Sequence, residues 1–443
     1  MDIIGFLTAF VALTFLGLLT GIVTGLSPGL HVNNVAALVL ATKGAWIGFL
    51  AILSPDSTAD ADSAGVLLSC FLVATAASHS VFTFIPSVFL GAPTEDTALA
   101  TLPGHRLLLV GQGAKAVALA GRGAVLGTAL AAVALVPLRL LLGDPGDLAD
   151  QFRPWTPTFL IGLLFALAVA EVRGPTRLRR MSRAVFVQGL AGCLGIATLR
   201  GGLPVDSNLI LFPLFSGLFG LPSLLIGMFG PRGRIPEQRF ERLRGLSRKD
   251  VRSAIRGTLA GAAVSWVPGL SGGAAATLAC IGTGRRAGPS QFMIVLGAVS
   301  TSTALLSVAV LFMIHRARSG VAAVTRDLIG QFSEWTEPWS IPLSLLLLTT
   351  SGVVATAVAA PLAARLARRL AGRWSRSDPR RIAAASLAAI LCLLVVATGP
   401  VGVAVAGSAT LLGFVPIALR VRRVHLMASL LVPVVLSYLI PLS

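Results

Sequence analysis

The chain has 443 residues, of which 55% are hydrophobic and 12% charged, and its formal net charge is +18. Soluble domains carry about 25% charged residues, so this composition excludes a soluble globular protein. The positive charge does not indicate a nucleic-acid partner, because the basic residues stand in clusters between apolar runs and lack interleaved aromatic residues.

Apolar runs long enough to cross a bilayer, which takes about 20 residues, recur along the whole chain. They predict an all-α polytopic membrane protein with about 10–12 transmembrane helices, embedded in the lipid bilayer of the cytoplasmic membrane. The runs are 3–23, 119–142, 155–170, 205–230, 341–364, 382–399 and 424–442.

The first run is followed at 25–34 by the polar stretch GLSPGLHVNN. Proline removes a backbone donor and disfavours helix in the residue before it, and glycine lets the backbone turn. Irregular backbone at membrane depth is tolerated only where protein or a watery cavity satisfies its polar groups. The stretch therefore predicts that one half-helix ends and another begins inside the membrane.

A second polar stretch lies at 75–106, where hydroxyl, imidazole and carboxyl groups interrupt an apolar run. An ionisable residue inside a span is a functional candidate, and a core histidine bonded to a backbone carbonyl is the structural alternative. The candidates for ion coupling or gating in this stretch are Ser78, His79, Thr94, Glu95, Asp96, Thr97, His105 and Arg106.

Of the 36 Lys and Arg residues, 24 lie in four clusters, and the positive-inside rule predicts that these loops are cytoplasmic. The longest basic loop, 231–256, is predicted to connect two transmembrane halves, 1–230 and 257–443. The four clusters are 173–183, 232–256, 365–381 and 420–423.

The basic clusters that end at 256 and begin at 365 are both predicted to be cytoplasmic, so the number of membrane crossings between them must be even. Three apolar stretches lie there, however. We expect 257–283 to enter and leave on one side, because it contains SWVPGLSGG and is followed by two arginines. The next stretch, 289–315, contains VSTSTALL, in which Ser300 and Thr301 form a weaker counterpart of the 75–106 cluster.

The two interrupted segments align without a gap at an offset of 240 residues, with eight identities between 17–38 and 257–278. The two halves are therefore predicted to be structural repeats with an inverted arrangement. Interrupted hydrophobic segments at corresponding places in two halves point to the binding site of a secondary transporter.

The free N–H groups and the positive dipole end of each second half-helix favour an anionic ligand. A proline kink with small residues for close helix packing is the structural alternative. The predicted substrate-binding residues are Ser27, Pro28, Gly29, Leu30, His31, Asn33, Asn34, Pro268, Gly269, Leu270, Ser271, Gly272 and Gly273.

The sequence carries no recognisable enzyme motif, nucleotide-binding motif or metal-ligand spacing. Neither catalysis nor a cofactor nor a bound metal is predicted. A coupling Na⁺ or H⁺ is the ion that a secondary carrier would use.

Four stretches of the chain resemble the large permease subunit of the tripartite tricarboxylate transporters, the TctA-like family, and especially its shorter archaeal members. The resemblance implies an ion-coupled carrier of a small organic anion of the carboxylate class, with substrate at the PGL turns. It also implies a small membrane subunit and an extracytoplasmic binding protein as partners; a homodimer is a further expectation. The stretches are GLLTGIVTGLSPGLHVNNVAAL, PSVFLGAPTEDTALATLPGHRLLLVGQGAKAVAL, LFPLFSGLFGLPSLL and GTLAGAAVSWVPGLSGGAAATL.

Two other functions remain open at this point. VPGLSGG also resembles the PGVSGG signature of a family of polyprenyl-phosphate translocases, which implies a lipid-phosphate substrate as the alternative. A structural membrane protein without a substrate path would need the broken helices only for packing.

Overall fold

The structure, a computed structural model, is helical and contains no strand in the part of the chain that it describes. The described residues are 3–27, 30, 32–53, 61–89, 101–169, 171, 177–205, 209–229, 236–239, 245–267, 272, 275–276, 279, 288–330, 335–374 and 379–440.

The nineteen α-helices among these described residues are numbered in chain order. They are α1 (Ile3–Leu26), α2 (Val32–Ala41), α3 (Lys43–Leu53), α4 (Ala61–Phe82), α5 (Phe84–Phe89), α6 (Thr101–Leu109), α7 (Gly113–Val133), α8 (Leu135–Leu142), α9 (Leu148–Phe152), α10 (Thr156–Val169), α11 (Arg177–Leu199), α12 (Leu211–Phe215), α13 (Leu221–Phe229), α14 (Arg248–Trp266), α15 (Pro289–Ile314), α16 (Gly320–Ile329), α17 (Leu343–Trp374), α18 (Pro379–Leu419) and α19 (Ala428–Leu439). A π-helical turn at Ser216–Gly220 joins α12 to α13, and a 3₁₀ segment at Arg423–Met427 precedes α19.

Within the described residues, nine helices are long and apolar enough to cross a membrane. The count rises to ten if α2 and α3, which are bent by 79° relative to each other, form one broken span. An all-helical polytopic membrane protein is therefore confirmed, and the described residues give nine or ten candidate spans against the 10–12 predicted for the whole chain.

Helix α1 packs along α4 in the same direction. Gly17 lies against Phe71 and Ala74, Gly21 against Thr75 and Ser78, and Gly25 against Phe82 and His79. Added Cβ atoms on these glycines would overlap the neighbouring helix; one on Gly17 would lie 2.9 Å from the Ala74 Cβ. Small residues let two helix backbones approach closely in a membrane, where apolar burial does not drive association.

Helix α14 packs along α15 in the same way. Gly257 lies against Val295 and Ala298, and Gly261 lies against Val299 and Ser302. Because both residue numbers rise together, α14 and α15 are also parallel. Two parallel neighbours begin at the same end of the bundle, so α15 starts at the end from which α14 enters.

The two parallel pairs point in opposite directions. Helix α7 runs parallel to α15, since Gly123 meets Ile294 and Gly127 meets Ala298. Helix α17 runs antiparallel to α7, since Gly121 meets Ala360 whereas Thr128 bonds Thr356 with 3.3 Å between their Oγ1 atoms.

Helix α4 runs parallel to α17, with Cys70 bonded to Ser351 and Val73 beside Gly352. Thus α1, α4 and α17 run one way and α7, α14 and α15 run the other.

Charge distinguishes the two ends of this bundle. The basic end carries the start of α14, with Arg248 and Arg252, and the end of α17, with Arg365 and Arg368. The acidic end carries Asp62, Asp150 and Asp327, and there Arg316 forms an ion pair of 2.7 Å with Asp150. Helix α1 begins at the acidic end and α14 at the basic end, so the two interrupted segments enter from opposite sides.

The basic connector is attached to the start of α7. The Arg239 N–H donates to the Gly111 carbonyl at 2.7 Å, and the Gly113 N–H donates to Gln238 Oε1 at 2.8 Å. Further along, Arg122 of α7 forms an ion pair of 2.7 Å with Asp250 of α14. The connector therefore holds α7 and α14 together at the basic end.

A second group of helices, α10–α13, α18 and α19, has its own apolar core. Helix α11 packs on α19, and α18 packs on α12, α13 and the π-helical turn. Helix α18 contains non-helical backbone at Gly399, with a φ of 61°, followed by Pro400. Each half of the chain contributes helices both to this group and to the bundle around α4 and α15.

Candidate substrate site

Helix α1 ends inside the bundle. Gly25 lies beside Phe82, and the continuous α4–α5 segment extends to Phe89. At a rise of 1.5 Å per residue, α1 stops about 10 Å short of the far end of its neighbour. The chain therefore turns at a depth where the surrounding helices continue.

Helix α14 ends at an equivalent depth from the opposite side. Gly261 lies beside Val299 and Ser302, and α14 continues for five residues to Trp266. By the same helical rise, the last residue of α14 lies beside α15 at a level about 12 Å before α15 ends at Ile314. Because α1 and α14 enter from opposite ends, each passes through most of the bundle, and their two ends lie at different depths.

The first turn begins with regular helical bonding and closes tightly. The Ser27 N–H donates to the Val23 carbonyl at 3.1 Å, and the Leu30 N–H donates to the Ser27 carbonyl at 3.2 Å. The Leu30 side chain is half-buried against the core of the second helix group, which includes Leu221 and Leu224. The turn therefore touches both groups of helices.

Helix α2 starts immediately after this turn and carries the predicted asparagine. The Asn33 side chain packs against Gly320, the first residue of α16, where an added Cβ would lie 2.7 Å from the Asn33 Cγ. Neither α1 nor α2 contains a charged residue. An anion at this place would be met by amide dipoles and N–H groups of the chain rather than by a cationic side chain of these two helices.

His79 of α4 is buried and contacts the end of α1. Its Nδ1 lies 3.0 Å from the Thr24 Oγ1, and Thr24 lies three residues before Ser27. The Thr24 hydroxyl also bonds the Gly21 carbonyl at 3.4 Å. A histidine inside the membrane is thus linked to the last turn of the half-helix, which places the predicted His79 next to the predicted turn.

Ser78 and Ser302 occupy matching positions in the two halves. Ser78 Oγ donates to the Ala74 and Thr75 carbonyls at 2.8 and 3.2 Å. Ser302 Oγ donates to the Ala298 and Val299 carbonyls at 2.6 and 3.2 Å. Both hydroxyls bond their own helix beneath a glycine of the half-helix, so their geometry is that of packing contacts.

The predicted pair Ser300 and Thr301 is less closely related to the interruption. Thr301 Oγ1 donates to the Ala124 carbonyl of α7 at 2.9 Å and therefore faces α7 rather than α14. The Ser300 hydroxyl is buried without a hydrogen-bond partner among the described residues. The residue that matches His79 is Thr303, whose hydroxyl lies 3.5 Å from the Gly261 carbonyl.

Several predicted site residues lie outside the described residues or have undescribed side chains. Arg106 of α6 is described and is exposed, and Gly272 is described as buried and helical. Those outside the description are Pro28, Gly29, His31, Thr94, Glu95, Asp96, Thr97, Pro268, Gly269, Leu270, Ser271 and Gly273, together with the side chains of Asn34 and His105.

Sequence reasoning missed two features of the site. Thr24 is an ordinary threonine in an apolar run, and only its contact with His79 distinguishes it. The contact of Leu30 with the second helix group depends on helices almost 200 residues further along the chain. The described residues contain no group of three or more His, Cys, Asp or Glu placed to hold a metal ion.

Two parallel helix pairs of opposite direction, each with a helix that stops inside the bundle, define a class of multi-pass membrane protein with interrupted helices at corresponding places. Among secondary transporters, such interruptions form the binding site. Residues 11–428 match the model of the tripartite tricarboxylate transporter TctA family, and the chain belongs to that family.

One relative was found in Methanocaldococcus jannaschii, where it is described as an uncharacterized protein. It is 28% identical to this chain over 331 residues, which cover 74% of this chain and 75% of the relative. No solved structure matched the chain. The family match is to a transporter family and gives no support to the polyprenyl-phosphate alternative.

Proposed function

We propose that this protein is an ion-coupled secondary carrier that moves a carboxylate-class organic anion across the cytoplasmic membrane. The substrate binds between the two interrupted segments, at 27–34 and 268–273. The observation that carries the proposal is that α1 and α14, which enter from opposite ends, stop about 10 and 12 Å short of the ends that they approach, by helical rise.

Three features support this assignment. Family membership supports a tricarboxylate-type substrate. Helix α2 starts directly after the turn, and the first N–H groups of a helix, which have no acceptor within the helix itself, favour a carboxylate. The contact of Leu30 with the second helix group gives a substrate at the turn a means to influence how the two helix groups pack.

The charge distribution supports an orientation with the basic end in the cytoplasm. In this orientation α1 enters from outside and ends nearer the cytoplasmic side, whereas α14 enters from inside and ends nearer the external side. Family membership also supports a small membrane subunit and an extracytoplasmic binding protein as partners, docked at the acidic end.

Uptake of radiolabelled citrate into proteoliposomes that contain the full chain tests the proposal. We expect citrate to accumulate when a Na⁺ or pH gradient is imposed, and we expect Asn33→Ala to reduce that accumulation without lowering the melting temperature. Ser408→Ala is the matched control, because Ser408 is exposed on α18 and bonds only its own helix at 3.0 Å.

Two results would contradict the proposal. Citrate that fails to move under either gradient removes the carrier function for this substrate class. Equal uptake by Asn33→Ala and Ser408→Ala removes the first turn as its site. A lipid phosphate retained by purified protein in native mass spectrometry, together with absent citrate uptake, would instead favour the polyprenyl-phosphate alternative.

A further inference from the structure

A buried cluster of polar side chains lies in the second helix group, away from the two turns. His425 in the 3₁₀ segment is completely buried, and its Nε2 lies 3.3 Å from Glu171 Oε1. The same carboxylate oxygen accepts the backbone N–H of Arg422 at 3.1 Å and faces Arg422 Nε at 3.3 Å. On the other side of the ring, His425 Nδ1 lies 3.2 Å from Gln188 Nε2.

The hydrogen bonds fix the resting protonation of this cluster. Gln188 Nε2 also donates to the Leu164 carbonyl at 3.0 Å, and an amide nitrogen can only donate. His425 Nδ1 is therefore an acceptor, and the ring proton is on Nε2, where it points to Glu171. Burial raises the pKa of Glu171, but the hydrogen bonds from His425 and Arg422 and the charges of Arg422 and His425 outweigh it, so the pKa lies below its usual value. The Glu171 carboxylate is thus the anionic acceptor that faces the ring Nε2.

The charges around the histidine come from few places. The 3₁₀ segment packs against α10, α11, α18 and α19. Helix α10 carries no charged residue, and α19 contributes only Tyr438. Helix α11 has its charges in its first turns, and of these Arg183 bonds the Leu419 carbonyl at 3.2 Å. Helix α18 carries Arg380 and Arg381 at its start and is followed by Arg420. Glu171 is the carboxylate that contacts His425 and stabilises a charged ring.

Binding of one proton would change this arrangement in a defined way. A proton on Nδ1 makes both ring nitrogens donors, so Gln188 must rotate its amide to offer oxygen. That rotation breaks the hydrogen bond from Gln188 to the Leu164 carbonyl. The added proton gives the ring a positive charge, which strengthens its attraction to Glu171. The cluster therefore has two arrangements, which differ by one proton and by the hydrogen bond between α10 and α11.

The cluster is joined to the first turn by direct contacts. Arg423, two residues before His425, donates to Ser223 Oγ at 2.6 Å and to the Leu218 and Phe219 carbonyls at 2.9 and 2.8 Å. These partners belong to the π-helical turn and α13, and irregular turns of this kind are frequent at functional sites. Helix α13 supplies Leu221 and Leu224 to the core that holds Leu30.

We propose that the Glu171–His425 pair binds the coupling proton and transmits its presence through Arg423 and α13 to Leu30 at the first turn. This inference rests on the proposed carrier function and names its coupling ion and the site of that ion. The pair lies in the second helix group next to the basic residues Arg420, Arg422 and Arg423, and in the proposed orientation the proton would be released there to the cytoplasm.

The test uses proteoliposomes with the full chain and radiolabelled citrate, and compares uptake driven by a pH gradient with citrate exchange at equal pH. We expect His425→Gln and Glu171→Gln to reduce gradient-driven uptake to the value measured without a gradient, while exchange continues. Asp327→Asn is the matched control, because Asp327 is exposed at the acidic end and paired only locally with Arg326. The control keeps both activities.

One more variant tests the proton site even if His425→Gln and Glu171→Gln fold poorly. Gln188→Glu places a carboxylate beside Nδ1 and stabilises the charged ring, so the pH midpoint of uptake should rise by about one unit or more. Gradient-driven uptake that persists in His425→Gln, or an unchanged midpoint in Gln188→Glu, overturns the proton site alone. Wild-type protein that exchanges no citrate overturns the carrier function, and the proton site falls with it.

Discussion

The α1–α4 pair and the α14–α15 pair share one packing scheme and differ in their polar side chains. The half-helices correspond at an offset of 240, which relates Gly17 to Gly257 and Gly21 to Gly261. Their partners correspond at an offset of 224, which relates Ala74 to Ala298 and Ser78 to Ser302. The close glycine contacts are thus present in both halves, and they keep each half-helix at a fixed depth.

The polar groups near the ends of the half-helices are not shared. The first half has Thr24 bonded to His79, whereas the second half has Val264 and Thr303 at those positions. The first turn is followed by two asparagines and the second by glycines. Packing is therefore duplicated, whereas the polar side-chain contact at the end of the half-helix is present in the first half only among the described residues.

Gly21→Val and Gly261→Val should have the largest effects, and these effects should be equal. The added side chains would overlap the α4 and α15 backbones, and overpacking costs about 1–3 kcal/mol or more. Both variants should melt at lower temperature in detergent and lose citrate uptake. Gly162→Val is the control, because no atom lies within 4 Å of a Cβ built there. A large effect in only one half would show that the two packing contacts are not equivalent.

Arg122→Gln should destabilise the second half specifically. Asp250 caps α14 together with Ser247 and pairs with Arg122, whereas Phe10 stands at the matching position of α1. Burial raises the pKa of Asp250, but the hydrogen bonds from Ser247 and Arg122 and the Arg122 charge outweigh this effect, so the net pKa is below its usual value. We expect a loss of about 1–2 kcal/mol at pH 7.

The pH dependence of that loss has a definite sign. A carboxylate with a lowered folded-state pKa contributes stability above its unfolded value, about 4, and the contribution disappears as the pH falls through the folded value. The difference in melting temperature between wild type and Arg122→Gln should therefore shrink below about pH 4. A difference that is constant between pH 7 and pH 3.5 would exclude the ion pair as its cause.

Thr24→Val should have a smaller effect that appears in transport. It removes the hydroxyl that contacts His79 while keeping the shape of the side chain, and such a bond contributes about 1 kcal/mol, or three- to tenfold in kcat/KM for citrate. Thr303→Val in the second half should change kcat/KM by less than about twofold. Equal losses from the two variants would remove the functional difference between the halves.

Ser78→Ala and Ser302→Ala should have the smallest effects. Each hydroxyl bonds carbonyls of its own helix, and such bonds in membrane helices contribute about 0.5 kcal/mol. Both variants should retain wild-type uptake and nearly wild-type melting temperatures. A strong transport defect in Ser78→Ala alone would add Ser78 to the candidate site.

The interrupted helices could be predicted from sequence because their signal is local. Pro28 and Pro268 with the following glycines interrupt apolar runs, and the offset of 240 can be counted directly. The roles of Thr301 and Ser302 could not be predicted, because adjacent hydroxyls on one helix face different neighbours. The Glu171–His425 pair joins residues 254 positions apart, and neither residue belongs to a recognisable motif.

Composition and apolar periodicity by themselves determined that this chain crosses the membrane many times, because the cost of burying polar groups in lipid acts on every residue of a span. The paired turns also followed from sequence, since proline and glycine act on their own backbone. Only the tertiary structure decided that α1 and α14 enter from opposite ends and that each stops short of the end it approaches. Helix direction and depth are set by contacts such as Gly21 on Ser78 and Thr128 on Thr356, which arise only when distant segments pack.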